Sequence, residues 1–279
     1  MEKKIPYQEV KFYKEFRSYF DINEDIRRFI DEVFQKNTIS HRNEPLKGAA
    51  VFFFTKSIKT NSAIWHLCAD GYGEDAAVLV RSLFNLVVNF YYILAQDSEN
   101  RAKQYIEYYK ITRLQIHNII KKWPNKFSSA NISVEKEQEI ETEADEAIKE
   151  YKFDTKKPWS GKSILQMCKD IDSQNPTKNR SFEQNYDILY NYLSDFEHSN
   201  VMASGSYLNE DNNGWIANVN PSGELIQENL ATSAGFLLVI AEKFYKIFDL
   251  KYEKDLQDFL ERLEKLGKPL LAAKENFKL

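Results

Sequence analysis

The stretch from Ala76 to Ala95 is almost entirely apolar and long enough to span a membrane, yet it carries Arg81, Asn85 and Asn89 near its middle. A helix that is apolar on nearly all sides must be covered on nearly all sides. Three polar residues at mid-span are costly in lipid. We therefore predict a central helix buried inside a helical protein, and no contact with a membrane.

The rest of the chain repeats amphipathic helical spacing on both sides of this stretch. Only 9 of the 279 residues are Gly and 7 are Pro, as in loop-poor proteins. We predict an all-α protein, a helical bundle of about eight to nine helices, from these runs of three- and four-residue spacing. One exception is the segment 204–222, where an Asn-Asn-Gly turn between two short runs indicates a β-hairpin insertion.

No internal repeat and no low-complexity linker divides the chain. We therefore predict a single helical domain over 1–279. Within it, 1–44 is an N-terminal helical extension, 45–250 is the core that carries the hairpin, and 251–279 is a C-terminal helix.

Charge and cysteine content exclude several functional classes. A net charge of −4 gives no general attraction to polyanions. The two cysteines are far apart and the N-terminus lacks an apolar leader, so we expect a reduced, cytoplasmic protein. The motif "PWSGKS" ends like a phosphate-binding loop, but Lys156 stands where the first glycine belongs. With no CxxC or HExxH motif present, we expect neither metal nor cofactor.

The polar residues of the apolar helix fall on one stripe, which runs through Glu74, Arg81, Asn85, Asn89 and Tyr92. An unpaired arginine in a core costs several kcal/mol, so a carboxylate or a bound anion must compensate it. Two interpretations remain open: a structural salt bridge, to Glu74 or to an acid on another helix, or a pocket in which Arg81 meets a ligand phosphate or carboxylate.

A second polar stripe lies in "YDILYNYLSDFEHSN", where Tyr186, Tyr190, Ser194 and His198 recur every four residues. Asp195 lies three residues before His198, close enough on a helix to orient its imidazole. A histidine near a helix end is also a common cap or a satisfied core group. The sequence does not decide whether Arg81 and His198 meet.

These segments carry a family resemblance. "DAAVLVRSLFNLVVNFYYIL", a "WSGKS" turn and "YNYLSDFEHSN" resemble an uncharacterised bacterial helical family with an R-S-L-hydrophobic-E/N helix and a later S-x-x-x-H helix. Over roughly 45–250 the chain is more distantly similar to the HEPN (higher eukaryotes and prokaryotes nucleotide-binding) superfamily. That resemblance implies a compact bundle, dimerisation, and a place in toxin–antitoxin or phage-defence systems. In many members it also implies metal-independent RNA cleavage.

The chain departs from that superfamily in two places: no arginine lies shortly before His198, and Asn85 stands where many relatives have Glu. If the protein cleaves RNA, His198 moves protons, Arg81 stabilises charge on the phosphate and Asp195 orients the histidine. The pocket around them would be formed by Asn85, Asn89, Tyr190 and Ser194. The expected partners are RNA or a nucleotide, a second copy of the chain, and a protein from the same operon.

The alternative is a non-catalytic interaction or sensor protein in which Arg81 belongs to a buried polar network and the hairpin contacts a partner. A third interpretation is a small-molecule enzyme that uses Arg81 to hold an anion. A catalyst should expose Arg81 and His198 in one cleft, whereas a scaffold should bury Arg81 against a carboxylate.

Overall fold

A computed structural model describes residues 11–40, 43–123, 132–174, 181–211 and 214–267. Over these residues the protein is all-α with one β-hairpin, which confirms the predicted fold class. The elements, in chain order, are α1 (Lys11–Glu15), α2 (Arg17–Lys36), α3 (Pro45–Ala69), α4 (Gly73–Ala95), α5 (Ser98–Lys122), α6 (Val134–Tyr151), α7 (Ile164–Gln174), α8 (Phe182–Asn185), a π-helical segment (Tyr186–Tyr190), α9 (Asn191–Glu197), a 3-10 helix (Val201–Ser206), β1 (Leu208–Asp211), β2 (Gly214–Ala217), α10 (Ile226–Ile247) and α11 (Glu253–Lys265).

The centre of the fold is the packing of α3, α4 and α10 against one another. Phe53 and Phe90 stack between α3 and α4, and Phe54 meets Phe244 of α10. Helix α4 is the described helix with the length and hydropathy to cross a membrane, and 56% of its most apolar window is buried inside the protein. Its neighbours on the other sides are α5, α7 and α9.

A buried polar network fixes α2 against this centre. Asn61 of α3 donates hydrogen bonds to Asn23 Oδ1 of α2 at 2.9 Å and to Ser233 Oγ of α10 at 3.1 Å. Asn23 in turn donates to the carbonyl of Leu230. Because the two amide NH₂ groups find these acceptors only in one arrangement of the helices, they set the relative position of α2, α3 and α10.

The predicted hairpin is confirmed as an antiparallel pair in which Asp211 lies opposite Gly214. Its Asn212-Asn213 turn lies outside the described residues. After β2 the chain returns to the body at Ser222, whose backbone N–H donates to the Gly71 carbonyl and whose hydroxyl donates to Glu74.

Helices α5 and α6 form an antiparallel pair that extends away from the centre. The first half of α5 packs against α3 and α4, where Ala102 is fully buried. Beyond it, α5 and α6 share a small core of their own around Ile111, Ala144 and Phe153.

Candidate functional site

Arg81 lies on α4 and is largely buried, with 11% of its side chain exposed. Its Nε donates a hydrogen bond to Ser194 Oγ at 2.9 Å, and its Nη2 donates to the Tyr190 hydroxyl at 2.6 Å. Its Nη1 forms an ion pair with the Glu197 carboxylate. One carboxylate and two hydroxyls therefore compensate the charge that α4 carries into the core.

The three partners of Arg81 lie on one helical face, because Tyr190, Ser194 and Glu197 are separated by four and then three residues. Ser194 donates its hydroxyl proton to the Tyr190 carbonyl at 2.7 Å, which leaves its oxygen oriented to accept from Arg81. The Tyr190 ring centroid lies 4.3 Å from the guanidinium carbon, within range of a cation–π interaction.

A π-helical segment precedes this face and changes the helical register. The backbone N–H of Asn191 donates to the carbonyl of Tyr186, five residues back. The rings of Tyr186 and Tyr190 stack with centroids 4.5 Å apart, and burial raises the pKa of Tyr186. Such π-turns re-aim side chains, and here the turn leads directly into the residues that hold Arg81.

His198 follows the last residue of α9 and is exposed, with 69% of its side chain accessible. Its Nε2 lies 3.6 Å from Glu197 Oε2, the same carboxylate that pairs with Arg81. Arg81 and His198 therefore meet at Glu197, a residue that the predicted site does not include. The signal was present in the spacing, since Glu197 continues the face of Tyr190 and Ser194, whereas His198 lies one position beyond it.

Asp195 lies next to the site but takes another partner. Its carboxylate accepts a hydrogen bond from Asn200 Nδ2 at 2.9 Å, and its carbonyl accepts from the Asn200 backbone N–H at 2.9 Å. No ion pair joins Asp195 to His198 in the described part of the chain. The carboxylate beside the imidazole is Glu197, and Asp195 closes the turn after α9.

Of the two asparagines of α4, Asn89 contacts a different part of the protein from Arg81. Asn89 Oδ1 accepts a hydrogen bond from Trp159 Nε1 at 2.6 Å, and Asn89 Nδ2 donates to the Asn85 carbonyl at 2.7 Å. The Oδ1 of Asn85 is buried without a hydrogen-bond partner among the described residues. The polar stripe of α4 therefore divides: Arg81 holds α9, and Asn89 holds the turn that contains Trp159.

That turn is the "WSGKS" motif, and its contacts are those of a helix cap. Ser163 Oγ accepts from the backbone N–H of Gln166 at 3.2 Å, which caps α7. Lys162 pairs with Asp170 of α7, and this hydrogen bond raises its pKa. Lys162, the lysine of the motif, is therefore already paired with a carboxylate of the protein.

The cluster of Arg81, Glu197, Asp195 and His198 carries no net positive charge, because two carboxylates accompany one guanidinium. A phosphate reaching Arg81 would have to displace Glu197. Glu74, the other acid considered for Arg81, instead accepts from Ser222 at 2.6 Å. Among the described residues no three His, Cys, Asp or Glu side chains are placed to hold a metal ion.

Comparison with known proteins gives one match. A family model described as a family of unknown function covers residues 47–214, a range that includes Arg81 and all of its partners. No curated protein and no solved structure matches the chain.

Proposed function

The chain belongs to the DUF5677 family of unknown function, and from the geometry of the Arg81 cluster we propose that it is a non-catalytic helical interaction protein. The cluster acts as a structural clamp between α4 and α9. The hairpin that follows α9 is the surface that contacts a protein partner.

One observation carries this proposal: all three guanidinium nitrogens of Arg81 are engaged by side chains of a single neighbouring segment. The Arg81 side of this ion pair is largely buried and the Glu197 side reaches solvent, so removal of either residue is destabilising chiefly because the guanidinium or its site loses its compensating partner. A guanidinium held in this way is suited to fixing α9 in place. It is poorly suited to binding a substrate, because no group of the cluster is free to replace Glu197.

The clamp positions an exposed segment, residues 201–219, which we call the hairpin arm. Beyond α9, the 3-10 helix and the hairpin expose Val201, Met202, Trp215 and Val219, with Val219 at 83% accessibility. Within the described parts of the chain the two strands pair only with each other, and two-stranded hairpins are marginal in water unless something covers them. We expect the partner to be a protein that adds an extended strand to this hairpin. Arg81 secures the chain on one side of the arm, and Ser222 secures it on the other.

The clamp is tested by comparing Arg81→Ala, Glu197→Gln and His198→Ala with the matched control Arg28→Ala, which removes an exposed pair to Asp25. Arg81→Ala and Glu197→Gln should each lower the free energy of unfolding by about 2–3 kcal/mol. Arg28→Ala should cost less than about 1 kcal/mol. The measurements are urea unfolding of each variant and degradation of labelled RNA in EDTA, for which we expect no cleavage by the wild type.

The arm is tested by selecting strand-forming peptides from a random library on the wild-type protein. Selected peptides should show alternating apolar residues, and their affinity should fall at least tenfold for a Trp215→Ser/Val219→Ser variant that remains folded. Equal binding to both proteins would place the contact elsewhere.

A second function is favoured by the meeting of His198 and Arg81 at Glu197. On this proposal the protein acts on RNA or a nucleotide as a metal-independent, HEPN-like endoribonuclease in phage defence or a toxin–antitoxin system. His198 would transfer protons, with Glu197 beside its imidazole, and Arg81 would meet the phosphate once Glu197 turns away. Cleavage in EDTA by the wild type, lost in a folded His198→Ala variant, would establish this function and overturn the non-catalytic one.

A further inference from the structure

Helix α5 carries a seam of residues at heptad spacing along its whole length. The seam residues are separated by alternating steps of three and four, and they are Ala102, Tyr105, Tyr109, Thr112, Ile116, Ile119 and Trp123 just after the helix end. This spacing is that of a helix face which packs along another helix.

The seam is covered at its start and uncovered after that. Ala102 is fully buried, and Tyr105 contacts Phe53 of α3 and Trp159. Past the edge of the bundle the same face is open: Tyr109 is 63% exposed, and Ile116, Ile119 and Trp123 are each 53% exposed. The opposite face of α5 is already used by α6, where Ile111 and His117 are buried.

We propose that the seam of α5 is the interface through which two copies of this chain form a dimer, with the two α5 helices packed antiparallel about a two-fold axis. A two-fold axis beside position 114 brings Tyr109 of each copy against Ile119 of the other. It also brings Thr112 against Ile116. The two-fold axis thus covers exposed Tyr109 with exposed Ile119 and covers exposed Ile116 with the short side chain of Thr112, so one face of α5 can bury itself against its own copy, as a two-fold interface requires. Opposed helix dipoles add to this arrangement.

The charges around the seam argue against a nucleic acid or an anionic membrane as the occupant. Helix α6, which lies behind α5, has eight acidic and two basic residues. Three of the six basic residues of α5 are already paired with α6: Lys103 with Glu150, Arg113 with Glu143 and Lys121 with Glu141. Together the two helices carry ten acidic and eight basic residues, so they offer a polyanion no net positive charge.

The dimer is tested by light scattering during size-exclusion chromatography of the full chain. The wild type should elute as a dimer, and Ile116→Glu/Ile119→Glu should be a monomer with unchanged helical circular dichroism. The matched control, Val201→Glu/Val219→Glu, places two charges at exposed apolar positions of the hairpin arm and should remain a dimer. A wild type that is monomeric at all concentrations would overturn the proposal. It would also be overturned by a monomer that sediments with anionic vesicles and loses this binding in Ile116→Glu/Ile119→Glu.

The antiparallel orientation has its own test. Tyr109→Cys/Ile119→Cys should form an intermolecular disulfide on oxidation, because these two positions face each other across the axis but are too far apart to bridge within one helix. Neither single variant should link efficiently. Efficient linking of Tyr109→Cys alone would show that the helices run parallel and would overturn the antiparallel arrangement.

Discussion

At the scale of single residues, Arg81 is buried at little net cost because it keeps the hydrogen bonds that it would otherwise make with water. The sequence predicts that a carboxylate or anion must lie beside it. It does not identify Glu197, because that partner is more than a hundred residues away along the chain and the π-turn before α9 changes which side chains face α4. His198 was selected for its chemistry, yet the residue that links it to Arg81 is the acid beside it.

Asn89 offers a test of the second half of the polar stripe. Asn89→Leu should lower the free energy of unfolding by about 1–2 kcal/mol, because the indole N–H of Trp159, a buried residue, loses its acceptor. Trp159→Phe removes the same hydrogen bond from the other side. In a double-mutant cycle measured by urea unfolding, the two losses should couple by about 1 kcal/mol. Simple additivity would mean that the hydrogen bond contributes nothing.

At the scale of elements, helical periodicity predicted the helices well because it reflects burial along each helix. The hairpin was also predictable from its turn residues. The π-helical segment was not, since nothing in "YDILY" distinguishes it from a continuous α-helix until α4 and Arg81 are in place. The same holds for contacts between helix ends. At the start of α4, Gly73 lies against the backbone of Glu224, just before α10.

Gly73 should therefore be intolerant of substitution. A Cβ at Gly73 would meet the Glu224 carbonyl oxygen at 2.0 Å, and Asn229 donates to the Gly73 carbonyl at 2.6 Å. Gly73→Ala should cost several kcal/mol by forcing α4 and α10 apart. The control is Gly48→Ala in the first turn of α3, where a Cβ meets nothing within 4 Å. That change should stabilise the protein by about 0.5–1 kcal/mol in thermal or urea unfolding. Similar effects of the two substitutions would contradict the close approach.

At the scale of the whole molecule, many of the aromatic residues pack into one large core around α3, α4 and α10. Burial in this core raises the pKa of the Cys168 thiol and of the Tyr105 hydroxyl to about 12. In the unfolded chain the thiol and the hydroxyl ionise at about pH 8.5 and pH 10, respectively. Between those values and about pH 12 the folded protein binds more protons than the unfolded chain, so stability falls as pH rises.

The urea midpoint should accordingly be level between about pH 7 and pH 8 and should fall progressively up to about pH 12. Cys168→Ala should reduce the part of the fall that begins near the thiol pKa of the unfolded chain, and the remainder of that part belongs to Cys68, whose pKa is also raised by burial. Tyr105→Phe should remove a part that begins more than one pH unit higher. If both variants keep the wild-type profile, these two groups do not account for the alkaline loss of stability.

The position of α4 at the centre of the fold has a consequence for how the protein is made. Helix α3 precedes α4 directly, but α10, which covers another of its faces, begins only at Ile226. A chain leaving the ribosome therefore holds a membrane-like segment in water during synthesis of residues 96–225. Exposed apolar surface of this kind recruits chaperones and promotes aggregation of incomplete chains. Arg81, Asn85 and Asn89 interrupt that segment, so the residues that later fasten α4 to its neighbours also make the nascent chain less attractive to the membrane-insertion machinery.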